Sequence, residues 1–253
     1  MELTVDFAQV LSDMATFMWH AGLLSDGIAA LRTAEHILDV HNIGDEHHLR
    51  GNIHTHIGIF ASHGGVSFRD EAMDRRHKGR KARRANHRVV EQQRPVTLDD
   101  EIRLWAVESD MAFGLLQCER FNEAGVIIEE CHEQYKKWGT PDVVPFEYLK
   151  YNHIISFTYM AEGRPLDAIK ACKEGARLGE ICCGATHPMT LHVRRSLGNH
   201  LYFAGMIEES LKEHLTVLQA RINVVGEFNH FTLESHSMVA SLYAKVGDLE
   251  QAE

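Results

Sequence analysis

Histidine is the residue whose abundance invites a chemical reading: the chain has 18. A zinc pair on a helix needs two ligands one turn apart, three or four residues along the chain. No two histidines stand at either spacing. The tight clusters are His47-His48 and His54-x-His56. Adjacent or alternate side chains diverge on a helix, so these read as solvated residues, and no metal or other cofactor is implied. The five cysteines (Cys118, Cys131, Cys172, Cys182 and Cys183) are odd in number and form no Cys-x-x-Cys. They fit a reduced, intracellular chain, with Cys182-Cys183 read as a partly buried helix end. There is no Gly-Lys dipeptide for a phosphate-binding loop and no Gly-x-Ser-x-Gly nucleophile turn. The residue types point to no enzyme.

What remains is recognition, and the elements that would position it are repeated. Gly184-Ala-Thr-His-Pro-Met-Thr190-Leu191 recurs 42 positions later as Gly226-Glu-Phe-Asn-His-Phe-Thr232-Leu233. A fixed period of this length marks stacked repeats. Each unit reads as helix, glycine turn, helix, longer loop. Leu197-Gly198…Leu201 and Val239-Ala240…Tyr243 put a small residue on the first helix, where a partner can approach closely. Leu211, Leu215, Leu218, Ile222 and Val225 trace one stripe on the second. The predicted turns lie near Gly22, Gly65, Glu119, Gly163, Gly205 and Gly247, five residues before a small opener of the next helix in most units. Five units are complete and a sixth is cut at Ala252-Glu253, so the chain reads as a fragment of a longer protein.

This pattern resembles the tetratricopeptide repeat (TPR), and the loop Gly184…His187-Pro188…Thr190-Leu191 resembles the kinesin-light-chain variety. The resemblance implies an all-α fold: a right-handed superhelical solenoid of TPR helix hairpins, with residues 1–253 as one domain. It also looks like the C-terminal arrays of fungal STAND (NLR-like) proteins. There a NACHT or NB-ARC module lies upstream and the repeats sense a ligand; the NTPase motifs are absent from this sequence.

In such a solenoid the first helices line a concave groove that takes peptides or helices of partner proteins. Counting phase from the turn glycines, the inward candidates are Asn52, Thr55, Ser109, Lys150, His153, His192, Arg195, Asn199, Glu234 and Ser237. Lys150, His192 and Arg195 give the wall a basic middle in a chain of formal net charge −10, so an acidic or mixed-charge peptide is the expected ligand. The uncapped C-terminal end would admit self-association.

Composition agrees. The chain is 44% hydrophobic and 25% charged, with 5 prolines, and no apolar run nears the roughly 20 residues of a membrane span. The acidic balance disfavours nucleic acid. Residues 66–100 break the pattern as a basic insertion. Arg69 to Arg94 holds eight arginines and two lysines against four acids. With few large apolar residues, its helix is expected to protrude and bury little. Without interleaved aromatics it lacks stacking platforms for bases. An alternative function is a regulatory or nucleic-acid-associated factor acting through residues 69–94, which adds a nuclear location to the cytoplasmic one.

Overall fold

The computed structural model describes residues 4–62 and 69–252, the side chains of His20 and Leu249 apart. Twelve helices and no strand occur among the described residues. Two compact units make up the chain, Met1–Cys131 and His132–Glu253. The first holds α1 (Val5–His20), α2 (Leu24–Val40), α3 (His48–Ala61), α4 (Arg69–Gln93) and α5 (Leu98–Gln117). Helix α6 (Phe121–Trp138) has residues in both. The second holds α7 (Pro145–Ala161), α8 (Pro165–Cys182), α9 (Pro188–Phe203), α10 (Ile207–Val225), α11 (His230–Val246) and α12 (Leu249–Ala252).

Five of the six turns fall at their expected residues; Gly65 lies outside the described residues. Gly22, Glu119, Gly163, Gly205 and Gly247 all have left-handed backbone, with φ of 73, 61, 72, 80 and 82°. One residue on, an amide reaches back to the carbonyl five positions before it. Leu23 N–H donates to Met18 O at 2.8 Å, Arg120 to Leu115 at 2.9 Å, and Met206 to Leu201 at 2.9 Å. This is the Schellman closure, which satisfies carbonyls that a helix end leaves orphaned. The openers Gly27, Ala72, Ala124, Ala168 and Ser210 are all buried.

The longer loops share a second device. His187 Nδ1 accepts from Met189 N–H at 3.2 Å, and Asn229 Oδ1 accepts from Phe231 N–H at 2.9 Å. Asparagine thus replaces histidine as N-cap without loss of the bond. His47 does the same for Leu49 N–H at 3.3 Å, so Gly44…His47 is a third copy of this loop.

In unit 1, Leu31, Ile37, Leu38, Leu49, Ile53, Ile57 and Phe60 form the oily core, with Gly27 under the Phe60 ring. The basic segment corrects the sequence reading. Helix α4 does not protrude: Ala72, Arg76, Gly79, Ala82, Arg83 and His87 are buried. Gly51, Gly58 and Gly79 let α3 and α4 meet nearly backbone to backbone; a Cβ on Gly58 would stand 3.0 Å from Ala72 O. Most of the arginines are spent inside the unit. Arg80 and Arg84 clamp the buried Glu108 carboxylate at 2.6 and 2.7 Å. Arg75 pairs with Glu35, Arg76 donates to Ser62 Oγ at 2.7 Å, and Arg83 donates to Asn52 Oδ1. Long arginine stems cover apolar surface while their heads find partners, so few large apolar residues are needed.

Unit 2 begins with an aromatic group. Tyr135 is fully buried beside Trp138 and Tyr148, and His132 stacks on Tyr151 with ring centroids 3.8 Å apart. Leu149, Ile154, Leu178, Val193, Leu197, Leu201 and Val217 continue the core through the hairpins.

The turns give a test of opposite signs. A left-handed L-residue costs roughly 1–2 kcal/mol relative to glycine. Glu119→Gly should raise the unfolding free energy by about 0.5–1 kcal/mol, after glycine's greater unfolded-state freedom is set against that gain. Gly205→Ala, whose Cβ would meet nothing within 4 Å, should lower it by about 1 kcal/mol through backbone strain alone. Urea denaturation measures both. Equal or inverted effects would remove backbone handedness as the cause of the turns.

Candidate functional site

The ten wall residues divide by burial. Thr55 is 6% exposed, Ser109 1% and His153 4%. These three are corrected from wall to interior, because neighbouring helices cover them: Thr55 Oγ1, for instance, lies where a Cβ on Gly79 of α4 would be. Asn52 is half-buried and accepts the hydrogen bond from Arg83. Lys150 is also mostly covered; its side chain is 13% exposed, 3.6 Å from Glu147 Oε1 and over the Phe146 ring. His192, Arg195, Asn199 and Glu234 are half-buried, and Ser237 is exposed.

Unit 2 brings the usable residues together on α9 and α11. His192, Arg195 and Asn199 follow one another by about one turn along α9, which puts them on one face. Arg195 Nη1 reaches Glu234 Oε2 on α11 at 3.5 Å, the outer limit of a hydrogen bond, with side chains 31% and 35% exposed. An exposed pair of that geometry contributes at most about 1 kcal/mol. Arg195 Nε and Asn199 Oδ1 are secluded from solvent and have no hydrogen-bond partner. The basic middle expected from sequence thus narrows to His192 and Arg195.

Beneath this face lies a polar layer that phase counting missed. His153 Nε2 meets Ser196 Oγ at 3.0 Å, and Ser156 Oγ meets His200 Nε2 at 2.9 Å. Phe157 stands edge-on to both histidines. Arg221 donates to Phe231 O at 2.6 Å and to Ser235 Oγ at 2.8 Å. His214 is 1% exposed with neither ring nitrogen paired. The signal was present in the sequence. His153 and Ser196 are 43 positions apart and Ser156 and His200 are 44, close to one repeat, so polar residues in equal phase meet across neighbouring hairpins.

The layer is short of negative charge. Burial, then His200 and Arg195, push His153 down to about 3. Burial takes His200 to about 4, and burial with Arg195 and Arg221 takes His214 to about 4. Burial and Arg195 lower Arg221 to about 10, against the pull of Glu234. The rings are neutral at neutral pH, and the positive field of the two arginines is only partly answered.

No family model matches the sequence, and no curated protein does. Among solved structures, the kinesin-light-chain nearly identical TPR-like repeats of Podosopora anserina are similar over 81% of this chain and 91% of their own, with TM-score 0.51 and 16% identity. A variant of those repeats covers 88% of this chain and 98% of its own, with TM-score 0.51 and 15% identity. At this identity the likeness is one of fold: the chain has the fold of TPR-like helical repeats. No helix among the described residues is long and apolar enough to cross a membrane.

The buried histidines set a pH dependence. Unfolded, each binds a proton near 6.5; folded, His153 does so only near 3, and His200 and His214 near 4. Stability is therefore full above about 6.5 and falls with pH through the window down to 4 and below. Each histidine contributes a slope of up to about 1.4 kcal/mol per pH unit. Urea denaturation at stepped pH between 7.5 and 4.5 should show the fall, and His200→Gln should make it shallower. A flat profile would mean the rings accept protons in place.

Proposed function

We propose that the chain is a protein-interaction scaffold that holds an extended, acidic segment of a partner protein against α9 and α11 of unit 2. One observation carries this reading: His192, Arg195 and Asn199 stand half-buried on one face of α9, and Arg195 meets Glu234 of α11 only at 3.5 Å. An extended peptide offers one carbonyl and one amide per residue. Its like-facing groups recur about every 6.6 Å, against about 5–6 Å between side chains one turn apart on a helix. A single extended strand can therefore meet successive side chains of this face.

The charge preference follows from the field. Arg195 and Arg221 face one carboxylate, Glu234, across a contact weak enough for a ligand carboxylate to displace. The repeat type supports a wider setting as well: the sensing array of a larger signalling protein of the STAND kind, acting in the cytoplasm. The alternative through residues 69–94 has no comparable support, since most of the α4 arginines are engaged within unit 1.

Fluorescence anisotropy with labelled extended peptides, rich in aspartate and glutamate, rich in lysine, or uncharged, tests the reading. Acidic peptides should bind best. Arg195→Glu and Asn199→Ala should each weaken them about tenfold, roughly 1.4 kcal/mol, with thermal stability unchanged. Indifference to peptide charge, or full binding by both variants, would end the proposal.

A further inference from the structure

The cysteines at the end of α8 hold a feature that peptide binding does not use. Cys182 is the last residue of the helix and Cys183 its C-cap. Their Sγ atoms lie 3.3 Å apart, Cys182 is exposed and Cys183 half-buried. Cys131 and Cys172 are buried by contrast, and burial pushes the Cys172 thiol up to about 12, where it is inert.

We propose that Cys182 and Cys183 form a reversible oxidation site, which closes to a vicinal disulfide by exchange with a small-molecule disulfide such as oxidised glutathione. This does not rest on the groove reading. Cys182, the exposed sulfur, gives up its proton and attacks one sulfur of the oxidised glutathione. That S–S bond breaks, and the first glutathione leaves and takes up the proton. Cys183 Sγ, losing its own proton, then attacks Cys182 Sγ and expels the second glutathione, which is protonated in turn. Two protein thiols lose two electrons and two protons, and one glutathione disulfide becomes two thiols.

The order of attack has a structural cause. Burial, and then the hydrogen bond and charge of Cys182, push Cys183 up to about 12, so it is a poor first nucleophile. Forming the mixed disulfide on Cys182 removes the second of these influences and leaves the Cys183 sulfur in contact with its target.

Chain geometry makes the product reversible. A trans peptide holds adjacent Cα atoms about 3.8 Å apart, whereas ordinary disulfides span about 4.4–6.8 Å between Cα atoms. A bond between neighbours is therefore strained and readily reduced, the property of regulatory rather than structural disulfides. The ring would also contain the Cys182–Cys183 peptide. Gly179 O now accepts from Cys183 N–H at 2.9 Å and from Gly184 N–H at 3.1 Å, and closing the ring must disturb both. The next turn holds His187 N–H to Gly184 O at 3.3 Å, and His187 caps α9 through Met189 N–H. Oxidation should loosen the start of α9.

The test uses the full chain in glutathione buffers of rising oxidised fraction, followed by thiol alkylation and peptide mass analysis. The peptide holding both cysteines should become lighter by two hydrogens, escape alkylation, and recover under dithiothreitol. Cys182→Ser and Cys183→Ser should each abolish this, and amide exchange at Met189 should quicken only in the oxidised wild-type chain. Three results would overturn the proposal: both thiols alkylated in the most oxidising buffer, a stable glutathione adduct on Cys182 with Cys183 alkylated, or a bond from either cysteine to Cys118 or to a second chain.

Discussion

Two helices can lie this close only where one of them has almost no side chain, and that constraint governs the hairpins. A Cβ on Gly58 would stand 3.0 Å from Arg76 Cγ, and one on Gly198 would stand 2.6 Å from His214 Nε2. Arg76 and His214 occupy the same place in their hairpins, four residues after the openers Ala72 and Ser210. Leu31, Ile128 and Cys172 hold that place after Gly27, Ala124 and Ala168, and all five are buried. The small residue sets the distance, and the side chain opposite fills what is left. Close packing of this kind leaves little room for relaxation.

The size rule does not specify polarity, and the chain exploits that freedom. Where the filler is apolar, as with Leu31 or Ile128, the hairpin resembles an ordinary core. Where it is Arg76 or His214, a polar group is buried and its burial must be offset nearby. Arg76 finds Ser62; His214 finds no partner. The same economy runs through α4, whose charges join α2, α4 and α5 through Glu35 and Glu108 instead of forming a free basic surface. A net charge of −10 therefore coexists with an arginine-rich interior.

This explains which features were legible. The turns at Gly22, Glu119, Gly163, Gly205 and Gly247 are local: one left-handed residue and one back-reaching amide fix each, so the pattern could be traced even to a glutamate. The loops at Gly184 and Gly226 showed because their offset is one period. The loop at Gly44 did not, because the longer second hairpin shifts it out of register. Burial of Thr55, Ser109 and His153 was hidden for another reason. Phase from a turn says which way a side chain points within its own helix, but not which neighbouring helix covers it. The packing of α4 was hidden because arginine reads as surface by type, while Gly58 and Gly114 make room for the Arg76 stem. The partnerless atoms of Arg195 and Asn199 depend on side-chain geometry that spacing cannot express.

A double-mutant cycle at Gly198 and His214 tests the contact between hairpin helices most directly. By helix propensity alone, Gly198→Ala should stabilise the chain by about 1 kcal/mol. The close approach described here instead requires a loss of roughly 1–3 kcal/mol from overpacking, most of which should vanish when His214 is also alanine. A stabilising Gly198→Ala, or the same effect with His214 present and absent, would contradict it.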